Sequence, residues 1–250
     1  MKLKEVLFMI VAVLSACSAA HRDQVENKPE PRPTTLPQLQ SLRFSSSIEA
    51  QNQGQILEDL DLLGRLTGSG GTPLFQEIFG SPFLGTALLN FFTQRISSFD
   101  ANSCGGGAGL VGCVRPLVAS DGMWLTPSYF SLGLPQIYRL SVLFHESRHT
   151  EMIQMFWPHV KCPRPFQGPT GKDIVGILSG VELAGLPACD STAYGAYAVQ
   201  AELLKNTELF CQNCSEKIKM DAHLFGEDNL HRIVDPEALK KLRHDVEPKK

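Results

Sequence analysis

Near the middle of the 250-residue chain stands His145-Glu146-Ser147-Arg148-His149, and it constrains the fold more than any other stretch. Residues four apart lie one above the other on a helix, so a helix here brings both imidazoles to one side, within reach of a single metal ion. Glu146 then projects beside them, where a water polarised by that ion would stand. The chain holds only 7 His, and its composition predicts about 0.01 chance occurrences of this pattern. Ile137, Leu140, Val142, Leu143 and Phe144 make the preceding turns apolar, as a helix buried beneath an active site requires. Periodicity carries this helix from Pro135 to about Phe156.

The elements around it are fewer strands than helices. Ile56, Leu57, Leu60, Leu63 and Leu66 recur at helical spacing and predict a helix over 51–66, stopped by Thr67-Gly68-Ser69-Gly70-Gly71. A short helix follows at 73–79, and Ser81-Pro82 is expected to open another through Leu88, Leu89, Phe92 and Ile96. Met123-Trp124-Leu125-Thr126, with Tyr129-Phe130, reads as extended. Residues 208–250 read as amphipathic helices, with Asp235-Pro236-Glu237 starting the last. The expected class is α+β, mainly helical, with a small sheet above the motif helix, in one domain over 41–250.

The amino terminus is of a different kind. Lys2 and Lys4 precede the apolar run Val6 to Leu14, nine residues long, whereas a membrane span needs about 20. With small residues after it, this is a secretory signal over 1–16. Leu14-Ser15-Ala16-Cys17 resembles the lipobox of bacterial lipoproteins, which implies that Cys17 carries lipid and holds the protein to the cell envelope. Ser18 offers no Asp-type retention signal, which favours the outer membrane. The remainder of 17–40 is rich in proline and charge and reads as a tether. Twenty-three basic against 26 acidic residues, with no long basic block, leave no footprint for nucleic acid.

Seven cysteines are an odd number for an exported chain. Setting Cys17 aside leaves six, and local pairing gives Cys104 with Cys113, Cys162 with Cys189, and Cys211 with Cys214. The last pair is a CxxC, also a redox or half-zinc pattern. No second CxxC or thioredoxin-like βαβ pattern accompanies it, so a structural disulfide is favoured.

The H-E-x-x-H segment resembles that of the zincin metallopeptidases. The resemblance implies a zincin-like fold, catalytic Zn²⁺ with three protein ligands, Glu146 as general base, and a peptide or protein substrate. In that clan a strand before the motif lines the cleft, for which Met123 to Phe130 is the expected equivalent. Cys189-Asp190-Ser191-Thr192-Ala193-Tyr194-Gly195 is similar to the aspzincin (deuterolysin-type) pattern, which implies Asp190 as third ligand. Pro187-Ala188 replaces that family's Gly-Thr, and one extra residue precedes Tyr194-Gly195. His159, ten residues after His149, is the rival ligand, and Glu202 is a third choice. On one helix Glu202 lies about 18 Å beyond Asp190, so both cannot serve. Asp190 also suits a helix N-cap, or a place behind a ligating imidazole. Tyr194 or Tyr197 is expected to donate to an oxyanion. Alternatives to a peptidase are a lipid-anchored zincin-like module without catalysis, and a thiol oxidoreductase at Cys211 and Cys214.

Overall fold

The computed structural model describes residues 36–101, 104, 110–152, 155–168 and 170–247. The signal segment, Cys17 and the tether up to residue 35 lie outside the described residues. The last tether residues are folded: a 3₁₀ turn, Pro37–Ser41, buries Leu39 in the core. Packed structure therefore begins ahead of residue 41.

Helix α1 (Ala50–Arg65) buries Ile56, Leu60 and Leu63 along one stripe, the outcome of its helical spacing. In α2 (Pro73–Phe79) the Thr72 hydroxyl accepts from the Phe75 amide, and Gly80 closes the helix at a φ of 70°. Helix α3 (Gly85–Thr93) begins later than Ser81-Pro82. The reason is contact with α1: a Cβ at position 85 would lie 2.2 Å from the Leu63 carbonyl oxygen. Only glycine permits that approach, and residues 81–84 bend to deliver it.

One mixed sheet has the order β1-β2-β4-β3, from β1 (Arg43–Phe44), β2 (Ser98–Ala101), β3 (Gly112–Arg115) and β4 (Ala119–Leu125). β2 runs parallel to both β1 and β4, while β3 is antiparallel to β4, with Cys113 opposite Trp124. β3 is thus an edge strand. Tyr129 and Phe130 fall in helix α4 (Pro127–Ser131), not in a strand. Proline at its first position starts that helix.

The motif helix, α5 (Gln136–Arg148), stops well short of Phe156. Its last amides, at His149, Thr150 and Glu151, bond three residues back, tightening the end. Met155, Phe156 and Trp157 then take φ of 51°, 67° and 48°. The methionines that prolong the apolar period, Met152 and Met155, are 67% and 77% exposed. Burial does not support a helix there.

Two sets of contacts fix α5. On its inner face Phe144 meets Phe79, Phe91 and Phe92, each at 5.8 Å between ring centres. Arg139 donates to both oxygens of the buried Asp59 on α1, at 2.8 and 2.6 Å, and the Tyr129 hydroxyl adds a bond of 2.8 Å. Burial raises the Asp59 carboxyl, and the Arg139 guanidinium opposes that rise. The outer face is left for the histidines.

A two-stranded pair, β5 (Val160–Lys161) and β6 (Pro187–Cys189), brackets a long loop. Helices α6 (Ala196–Phe210), α7 (Glu216–Leu230) and α8 (Pro236–Val246) complete the molecule, with Asp235 capping the last. All three local disulfides are present. The class is α+β, mainly helical, with a small mixed sheet. Among the described residues no helix is long and apolar enough to cross a membrane.

Candidate metal centre

Helix α5 delivers His145 and His149 to one side, and the turn through Met155–Trp157 brings His159 back against them. The three Nε2 atoms form a triangle with edges of 3.1, 3.2 and 3.4 Å. A tetrahedral ion with ligands at 2.0–2.1 Å would hold its nitrogens about 3.3–3.4 Å apart. The triangle has the dimensions of a metal site, and these three residues could hold an ion.

The outer ring nitrogens say which electrons point inward. His149 Nδ1 donates to the Phe156 carbonyl at 2.8 Å, and His159 Nδ1 donates to Asp190 Oδ1 at 2.9 Å. Protons placed there leave both Nε2 atoms as lone pairs. Burial pushes His149 down to about 4, and burial followed by the two neighbouring imidazoles holds His145 well below the ordinary range. His145 Nδ1 is buried with no partner among the described residues. One proton on His145 serves this triangle poorly, whereas a cation at its centre accepts three lone pairs. The donor set therefore fits a metal.

Asp190 stands behind His159 rather than in the triangle. Its second oxygen accepts from the Tyr197 amide at 2.7 Å and the Ala198 amide at 3.4 Å, at the start of α6. It thus joins a helix N-terminus to His159, and both oxygens are taken up by these bonds. Gly195 makes this possible: a Cβ there would lie 2.3 Å from Asp190 Oδ2. The Asp190 main chain exchanges bonds with Arg232 and Val234, each 2.9 Å. The Cys162–Cys189 disulfide closes the adjoining strands.

Other expectations need correction. Tyr194 precedes α6, and its hydroxyl donates to Glu77 at 2.8 Å and meets Lys241, away from the histidines. Residues 190–195 are not helical, so no helical phase sets Tyr194 beside Asp190. Tyr197 is the tyrosine at the site, its ring 4.5 Å from that of His145 and 4.7 Å from that of His159. Glu202 is buried elsewhere, against Thr72 and Asn206 at 3.1 Å each. Arg148 and Glu151 are structural: Arg148 donates to both Glu151 oxygens, and Arg95 and Trp157 join them.

A cleft of about 830 Å³ opens over the histidines. Its floor is α5, including Glu146. One wall is β3 with Leu110 and Val111, and the other is the loop 176–188. The strand beside the cleft is therefore Gly112–Arg115, while Met123–Leu125 lies inside the sheet. Glycine at 112 keeps the wall close to Glu146, whose Cγ would be 3.4 Å from an added Cβ. Glu146 makes no side-chain hydrogen bond among the described residues, and burial alone pushes it up to about 8. A carboxyl so poised exchanges a proton near neutral pH. Sequence reasoning missed Gln200, which lines the cleft and donates to Ser141 at 2.9 Å. Its spacing of three from Tyr197 was the available signal.

No protein-family model, curated protein or solved structure matches this chain.

Proposed function

We propose that this protein is a zincin-like, zinc-dependent peptidase, held to a bacterial cell envelope through lipid on Cys17. The observation that carries the reading is the meeting of three inward lone pairs with an unbonded carboxyl on one cleft floor. His145, His149 and His159 are the ligands, and Asp190 holds His159 in the tautomer that ligation needs. When bound, zinc supplies Lewis acidity to the scissile carbonyl and acidifies the attacking water.

The residues of the chain do the rest. An extended peptide pairs along β3, the outermost strand of the sheet among the described residues, which sets its carbonyl above the histidines. Glu146 takes a proton from the water as its oxygen bonds the carbonyl carbon. It then passes that proton to the leaving nitrogen as the C–N bond breaks. Apolar side chains of loop 176–188 exclude bulk water from this exchange.

Metal analysis of the purified protein tests the site, with about one zinc per chain expected. His149→Ala and His159→Ala lose it. Glu146→Gln keeps the metal and loses peptide cleavage by several orders of magnitude. Absence of zinc after reconstitution, or full cleavage by Glu146→Gln, defeats the proposal.

A further inference from the structure

Among the described residues, the cleft lining contains one permanently charged cation. Arg232, in the turn after α7, faces the cleft together with Tyr197 and Asn229. Its guanidinium lies 4.7 Å over the Tyr197 ring, and that ring in turn packs on His145 and His159. Arg232 is therefore one aromatic ring away from the metal ligands. Its backbone carbonyl accepts from the Asp190 amide at 2.9 Å, so its position is tied to the site.

The guanidinium is only partly used. Nη1 donates to the Tyr197 hydroxyl at 3.1 Å, while Nε and Nη2 share one Asp228 oxygen at 3.4 and 3.3 Å. Charge-assisted bonds are usually about 2.7–2.9 Å, so the Asp228 contact is long. Five N–H donors less these three leave one on each terminal nitrogen without a partner among the described residues. The side chain is only 12% exposed. Asp228 pairs the charge at 3.3 Å, and the two N–H groups left over in a concave site suit a further anionic acceptor. Around it the lining is apolar, with Ile177, Leu178, Val181, Leu183 and Leu186.

We infer that Arg232 binds a carboxylate of the substrate, next to an apolar residue held by loop 176–188. A planar guanidinium suits that group. The carboxylate belongs either to the peptide's own C-terminus or to an acidic side chain. This deepens the peptidase reading and rests on it for the nature of the substrate, but its test reads binding and not turnover.

The experiment is an NMR titration of the purified protein with N-acetyl-leucine and N-acetyl-leucinamide, with zinc and after chelation. A second pair, acetyl-Leu-Glu-amide and acetyl-Leu-Gln-amide, moves the carboxylate to a side chain. In at least one pair the carboxylate is expected to bind about 10- to 100-fold tighter, the range of a charged hydrogen bond. The preference persists without zinc, vanishes in Arg232→Gln and is partly kept in Arg232→Lys. The pair that shows it identifies the source. Equal affinities in both pairs, or a preference lost on chelation or unchanged in Arg232→Gln, overturn the inference. If Arg232→Gln does not fold, the wild-type comparison with and without zinc decides alone. A catalytically silent protein that still shows this preference would sink the peptidase reading and leave Arg232's role standing.

Discussion

Asp190→Asn should separate holding a fold from holding a metal. The carboxylate serves two partners, His159 Nδ1 through one oxygen and the start of α6 through the other. Asparagine keeps an acceptor for the helix amides but turns an NH₂ toward His159 Nδ1. That nitrogen must then accept, so the imidazole proton moves to Nε2, where it blocks ligation. Loss of a partner behind a ligand typically weakens metal binding 10- to 100-fold. At zinc a thousandfold above the wild-type Kd, binding stabilises by about 4.1 kcal/mol, and a 100-fold loss leaves about 1.4 kcal/mol. For a domain of this size the difference lowers the zinc-loaded Tm by about 5–11 °C. The metal-free Tm should move far less. The assay is thermal unfolding with and without zinc, backed by chelator competition. Zinc affinity within twofold of wild type would refute the tautomer argument.

Two further substitutions probe the same frame. Gly195→Ala puts a methyl against the Asp190 carboxylate, although the local φ of −69° suits alanine; chelator competition should show zinc affinity reduced about tenfold, as for a displaced outer partner. Glu202, pushed up to about 8 chiefly by burial, stays protonated in the fold while the unfolded chain ionises near 4.5. Folding then binds a proton between those values, so stability falls with rising pH across that window by about 1.4 kcal/mol per unit. Glu202→Gln should flatten that slope in urea unfolding at pH 5, 6, 7 and 8, and parallel curves for the two proteins would refute the burial argument.

What the sequence made legible was local. Helix α1 followed from spacing and its glycine-rich stop, the three disulfides from proximity, and the His145–His149 pair from a single turn. The choice between Asp190 and His159 was not local. It depended on where two oxygens of one carboxylate point, and so on a helix that starts at Ala196 and not at Asp190. The same helix start decides between Tyr194 and Tyr197, since only Tyr197 lies within α6. β3 was hidden because its role rests on Gly112, a residue that signals turns more often than strands. The overlong motif helix came from Met152, Met155 and Phe156; the methionines are exposed, while the Phe156 carbonyl accepts from His149 in the turn that returns His159 and Trp157 stacks on Arg148, 4.4 Å away.

The Cys162–Cys189 bond makes the cleft's outer wall a covalent ring. His159 and Asp190 sit just outside it, one at each end of the bridge. A cut anywhere in 163–188 opens the ring but releases no fragment, because the sulfurs still join its ends. Where proteases are present, this wall can be nicked while His159 and its carboxylate partner stay linked through the staple, so damage to the cleft is uncoupled from loss of the histidine centre beneath it.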